Sequence, residues 1–192
     1  MQFVLASHNK KKLAELSAIV SSLGIEIIPL PEGAPEPEEN GKTFEENALI
    51  KANYVMNACH CAAIADDSGL EVDALGGAPG IYSARYCGRH GDDDANNALL
   101  LRNLEGIPAP RKARYVAAIA LVRSGHAPIV CRGTCEGEIL TEGRGNGGFG
   151  YDPLFLCETG KTFAEISPEV KNAISHRKRG IEAVLHALEA EQ

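Results

Sequence analysis

The chain has 192 residues, 44% of them hydrophobic and 23% charged, which describes a soluble globular protein large enough to hold its core without staples. A net charge of −7 argues against nucleic acid as a partner, although a few clustered lysines can still hold a small anion. The apolar run at the N-terminus is too short for a signal peptide, and no apolar stretch approaches the roughly 18 residues of a membrane span, so a cytoplasmic protein with no membrane partner is expected.

Phe3 to Ala6 read as a short buried strand. A helix is predicted from Lys10 to about Leu23, because Leu13, Leu16, Ile19, Val20 and Leu23 recur at helical spacing. Asn9 is its N-cap and Gly24 its stop. Ile25 to Leu30 form a second strand, followed by a Pro- and Glu-rich loop at 31–41. Thr43-Phe44-Glu45-Glu46 matches a capping box. It opens a second helix whose apolar face carries Ala48, Leu49, Ala52, Val55 and Met56. Ala63 to Ala65 read as a short strand ending at Asp66-Asp67, with extended structure resuming at Leu70 and Val72 and a loop from Gly76 to Gly80.

A third helix is predicted from Asp93 to Leu104, with Ala98, Leu99, Leu101 and Leu104 as its apolar carriers. Tyr115, Ala117, Ile119 and Leu121 alternate with period two and make a strand; Ile129 to Cys135 pair with it across a turn at Ser124-Gly125. A glycine-rich loop at 143–152 leads to a strand at Leu154 to Leu156. Ser167-Pro168 opens a helical segment, and Ile181, Val184, Leu185 and Leu188 form an amphipathic helical end. The pattern leaves open whether Ser175 restarts this helix or sits inside it. Strand–helix alternation together with a hairpin gives the fold class α/β with a mixed β-sheet, in one domain spanning 1–192.

Five groups of residues carry chemistry. Ser7-His8-Asn9-Lys10-Lys11-Lys12 joins a strand to a helix start, where unpaired N–H groups and the helix dipole favour phosphate. It lacks the Walker A spacing, and a solvated basic helix start is the plain alternative. Asp66-Asp67-Ser68 stands where ligands gather in open α/β sheets. Two carboxylates there suit Mg²⁺ or a base acting on water, and a polar turn is the alternative. Neighbours on a strand point to opposite faces, so the two aspartates should differ in role. Glu36, Glu38 and Glu39 are solvated charges unless they face these aspartates, where one would complete a metal site. Phe149-Gly150-Tyr151-Asp152 offers a close glycine backbone, an aromatic face and an acceptor for ring N–H groups, or else a lid on the core. Lys171 and Ser175-His176-Arg177 supply donors for a carbonyl oxygen on a base, or a basic helix face. Six cysteines without a C-x-x-C pair read as reduced apolar thiols rather than a zinc site. A phosphate cradle, a hard-metal cluster, an aromatic shelf and a set of donors are together what a nucleoside triphosphate with Mg²⁺ requires.

These stretches resemble the inosine triphosphate pyrophosphatases, the Ham1 or RdgB family. The resemblance runs nearly end to end, through Ser7 to Lys12, TFEENALIKA at 43–52, ADDSGLEVDALGGAPGIYSARY at 65–86, GGFGYDP at 147–153 and KNAISHR at 171–177. It implies an elongated α/β molecule with two lobes flanking a nucleotide cleft, usually paired as a homodimer. It also implies hydrolysis of ITP, dITP and XTP to monophosphate and pyrophosphate with Mg²⁺, Mn²⁺ being the alternative. By motif, Ser7, His8, Asn9, Lys10, Lys11, Lys12 and Lys51 meet the phosphates. Asp67 matches the base and metal ligand, Ser68 a substrate contact, and Glu38 or Glu39 the second metal ligand. Phe149, Gly150, Tyr151 and Asp152, with Lys171, His176 and Arg177, match the base pocket. His8 departs from the glycine that many members carry. A pyrophosphatase for other modified nucleotides and a nucleotide-binding regulator without turnover are the alternatives.

Overall fold

The computed structural model describes residues 2–21, 24–31, 33–34 and 37–191; Leu23 and Glu36, named above, lie outside them. The strands are β1 Gln2–Leu5, β2 Glu26–Pro29, β3 Ala63–Val72, β4 Lys112–Val122, β5 Ile129–Ile139 and β6 Phe155–Leu156. The helices are α1 Lys10–Ser21, α2 Phe44–Cys59, α3 Asp93–Asn103, α4 Pro168–Ile174 and α5 His176–Glu189. One six-stranded sheet has the order β2-β1-β3-β4-β5-β6. β1 runs parallel to both β2 and β3, whereas β6 runs antiparallel to β5, so the sheet is mixed as expected. Among the described residues, no helix is long and apolar enough to cross a membrane.

The chain divides into two compact units, residues 1–67, 117–133 and 176–192 in one and 68–116 and 134–175 in the other. In the first, Leu16, Ile19 and Val20 of α1 share a core with Ile181, Val184 and Leu188 of α5 and with Leu5, Ile64, Ile119 and Leu121. Burying each such side chain contributes about 1.5–3 kcal/mol. Asn9 caps α1, its Oδ1 accepting from the N–H groups of Lys11 and Lys12 at 3.1 Å each. Thr43 Oγ1 caps α2 by accepting from Glu46 N–H at 3.1 Å. The Glu46 carboxylate reaches back to Lys42 N–H at 2.6 Å, so the box closes one residue further out than the sequence pattern implies. In the second unit Tyr115 and Phe155 pack at 4.7 Å and Phe155 and Phe163 at 5.0 Å between ring centroids. Leu70, Val72, Leu100, Leu104 and Leu154 complete that core.

Three expectations change and one open question closes. β3 does not end at Asp66-Asp67 but continues to Val72, buried along most of its length. What ends there is its neighbour. β1 pairs no further than Leu5 with Ile64, so the aspartates lie just past the carboxyl end of β1. The buried residues of α3 are Asn96 and Leu100, and Ala98 is exposed. Three consecutive leucines at 99–101 left the phase of that helix undetermined. β5 extends to Ile139 and β6 shrinks to two residues. Ser175, with φ −72° and ψ 156°, breaks the helical end into α4 and α5.

Candidate active site

Each unit builds a buried polar cluster. In the first unit, β3 presents Asp66 and Asp67 to opposite sides, and different cations meet them. Lys12, in the first turn of α1, places Nζ 3.1 Å from Asp66 Oδ2. Arg177, at the start of α5, places Nε 3.5 Å from the same oxygen, and its Nη1 donates to Glu15 Oε2 at 2.7 Å. Lys51 belongs to the other side. Its Nζ donates to Asp67 Oδ1 at 2.8 Å, to the Asp66 carbonyl at 3.0 Å and to Glu39 Oε1 at 3.0 Å. Lys51 stands one helical turn after Asn47 on the buried face of α2. Asn47 Oδ1 accepts from Gly41 N–H at 2.8 Å, tying the end of the acidic loop to the helix that carries Lys51.

Electrostatics separate the two aspartates. Burial pushes Asp66 up, but Lys12, Arg177 and Lys51 outweigh it and hold its carboxyl far below the usual range. For Asp67 burial prevails over the pull of Lys51 and Lys12, Glu39 adds to the rise, and the carboxyl titrates above its ordinary value. Lys51, which burial pushes down, is carried above its ordinary value by Asp67, Glu39 and Asp66. The Lys51 ammonium is held charged by the acids around it, while at Asp67 desolvation outweighs that same attraction. Asp66 is therefore a fixed anion, and Asp67 is the stronger base of the two.

Glu39 and Asp67 converge on a single cationic position, now the Lys51 ammonium. Among the described residues no group of three or more His, Cys, Asp or Glu could hold a metal ion. A pair of carboxylates fits a hard cation that takes its other ligands from phosphate and water, as Mg²⁺ does; it does not fit tetrahedral zinc. Of the two candidate loop glutamates, Glu39 reaches Lys51 and Glu38 is exposed.

The segment from Ser7 to Lys12 is only partly gathered into this cluster. Lys12 reaches Asp66, whereas Lys10 and Lys11 lie on the exposed face of α1. Ser7 Oγ accepts from Asn9 N–H at 3.1 Å, and His8 Nε2 stands 2.6 Å from Ala34 O.

In the second unit, where Ser68 is half-buried on β3, the cluster centres on Asp152. Its Oδ1 accepts from the Tyr115 hydroxyl at 3.0 Å. Its Oδ2 accepts from Lys171 Nζ at 2.6 Å and Phe149 N–H at 3.0 Å. Lys171 Nζ also lies 4.8 Å from the centre of the Phe149 ring. Tyr151 is a lid on the core rather than an open aromatic face: it is buried, and its hydroxyl donates to Ser83 O at 2.7 Å. Burial, chiefly, pushes its phenol well above the usual range. Gly148 has φ +70°, and a side chain there would run into the Asp152 carboxylate.

The KNAISHR stretch is thus divided. Lys171 joins Asp152, Arg177 joins Asp66 and Glu15, and His176 is buried at the first residue of α5. Sequence reasoning missed Tyr115, Asn47 and Glu15. The first two carried a signal, a polar group in an apolar pattern. Glu15 carried none, because Arg177 is 162 residues away.

The sequence pattern of the Ham1 family matches residues 3–187. The chain belongs to the Ham1 family. Among its relatives in that family, the dITP/XTP pyrophosphatase of Geobacter sulfurreducens is 50% identical over 184 residues, covering 94% of this chain and 92% of the relative. The dITP/XTP pyrophosphatase of Mycolicibacterium paratuberculosis is 48% identical over 194 residues, covering 97% and 95%. Among solved structures, a HAM1 protein from Coxiella burnetii matches with a TM-score of 0.88 and 42% identity over 99% of each chain. The Staphylococcus aureus Ham1 protein matches with a TM-score of 0.87 and 40% identity over 100% of each.

Proposed function

We propose that this Ham1-family chain hydrolyses the non-standard purine nucleoside triphosphates ITP, dITP and XTP to the monophosphate and pyrophosphate. The reading rests on one observation: adjacent aspartates of β3 face different cations, Lys12 and Arg177 at Asp66, and Lys51, shared with Glu39, at Asp67. The names of the two relatives support the substrate class.

Asp67 takes the proton of the water that attacks the α-phosphorus, a contribution of about 10²- to 10⁴-fold. Asp66 stays ionised and orients Lys12 and Arg177. Lys12 and Lys51 neutralise the charge that grows on the departing pyrophosphate. At the start of α1, phosphate oxygens replace Ser7 Oγ and Asn9 Oδ1 as acceptors for the Asn9, Lys11 and Lys12 N–H groups. Asp67 and Glu39 are the residues that would hold Mg²⁺ or, second, Mn²⁺; when bound, the cation supplies further charge neutralisation at the phosphate oxygens.

The base is read by donors. Hypoxanthine and xanthine present a 6-oxo acceptor, and Lys171 offers N–H groups to it. An ammonium has three donors, more than its one bond to Asp152 uses. Adenine presents an amino donor instead, and a site built on such bonds rejects the mismatch by about 10⁴-fold. Phe149 supplies the flat apolar face. We also propose, from the family resemblance and the sequence alone, a cytoplasmic homodimer with 1–192 as one functional domain; sedimentation velocity checks the oligomeric state.

Incubation with ITP and Mg²⁺, followed by phosphorus NMR, should yield IMP and pyrophosphate. EDTA should abolish turnover and added Mg²⁺ restore it. Release of IDP and orthophosphate, or absence of turnover, overturns the reaction; full activity in EDTA overturns the metal assignment.

A further inference from the structure

We propose that Asp93 and Asn97 of α3 are positioning residues for base recognition, holding Phe149 in place through the peptide of Gly150. The proposal rests on the reading above in which Phe149 and Lys171 meet the base. Five of the ten residues from 143 to 152 are glycine, and Gly145, Gly148 and Gly150 have φ of +83°, +70° and +61°. Backbone of this kind loses the most conformational entropy on ordering, so a recognition loop made from it needs external restraint.

The restraint comes from one helix face. Gly150 N–H donates to Asp93 Oδ2 at 2.8 Å, and Gly150 O accepts from Asn97 Nδ2 at 2.9 Å. Residues 93 and 97 stand one turn apart on a helix and so point the same way. Both polar groups of a single glycine are therefore taken by a rigid element. That element is anchored by the Asp92 cap on Ala95 N–H at 3.0 Å and by the buried Leu100 and Leu104. On the other side of Phe149, its own N–H is held by Asp152. The phenyl ring thus hangs between two fixed points, 4.8 Å from Lys171 Nζ. Preorganising a recognition group in this way improves binding by removing the ordering cost at the moment the ligand arrives. The two side chains act through Gly150 and Phe149 rather than on the substrate.

The test combines amide hydrogen exchange at Gly150 with steady-state kinetics on ITP, for Asp93→Ala, Asn97→Ala, the double variant, and Asp93→Asn, which keeps an acceptor oxygen. The double variant should lose protection at Gly150 and raise KM for ITP by about tenfold, the scale of one or two net hydrogen bonds. Its kcat should stay within about twofold of the wild type, and Asp93→Asn should recover most of the loss of Asp93→Ala. Unchanged protection overturns the clamp. Lost protection with unchanged KM, or a fall confined to kcat, overturns its link to base recognition. Failure of the wild-type protein to hydrolyse ITP would refute the functional reading independently, whatever the exchange data show.

Discussion

Asp66 and Asp67 have the same side chain and adjacent positions, yet their surroundings give them opposite characters. Asp66 faces Lys12 and Arg177; Asp67 shares Lys51 with Glu39. Asp67→Asn should therefore lower kcat by about 10²- to 10⁴-fold, with a much smaller change in affinity for ITP. A variant retaining near-full turnover would exclude Asp67 as the base. The substitution should not cost stability. A carboxyl whose folded pKa is raised contributes its full stability below its unfolded value, and that contribution is lost as pH rises through the folded value. At neutral pH the Asp67 charge therefore works against the fold, as is common for groups kept for chemistry. Thermal unfolding near neutral pH should give Asp67→Asn a Tm equal to or above that of the wild type. A Tm several degrees lower would contradict the assigned direction.

At the scale of elements, α5 depends on close approach. A side chain on Gly133 of β5 would collide with His176 O and Gly180 N, and one on Gly180 would stand 2.8 Å from Ile119 Cγ1. The missing side chains let the first turns of α5 meet β5 backbone to backbone, and so set where Arg177 emerges. Gly133→Ala should cost about 1–3 kcal/mol through overpacking, or a Tm lower by roughly 5 °C at about 2–4 °C per kcal/mol for a chain of this size. It should also reduce kcat/KM for ITP as Arg177 shifts from Asp66. An unchanged Tm would mean that the helix relaxes without strain. Helix starts were legible in the sequence at Asn9 and Thr43, because capping is a contact between residues three apart or fewer. The buried face of α3 was not, because Leu99, Leu100 and Leu101 fit more than one helical phase. The end of β3 was misplaced because two charges in a strand read as a turn until their cations are known.

For the molecule as a whole, the two aspartates predict that acid removes activity before it removes structure. Asp66 has a depressed pKa, so its contribution to stability is complete above about pH 4, the unfolded aspartate value, and is lost only as pH falls toward the depressed folded value. Turnover requires ionised Asp67, whose pKa is raised, so kcat should fall at a pH above that ordinary value. Parallel pH profiles of kcat and of Tm should show the acid limb of kcat at the higher pH. The reverse order would overturn the division of roles between the two residues.

By itself the sequence determined the mixed α/β class, most helix starts and the residue types able to handle phosphate, a hard cation and a purine. Spacing along the chain carries those features through caps, periodicity and glycine placement. Only the tertiary structure decided which of three lysines meets an aspartate, that Glu39 rather than Glu38 shares Lys51, that Tyr151 turns into the core, and that Lys171 and Arg177 serve different clusters. Each of these depends on contacts between distant residues and on which charges are buried together, and neither is encoded in any local pattern.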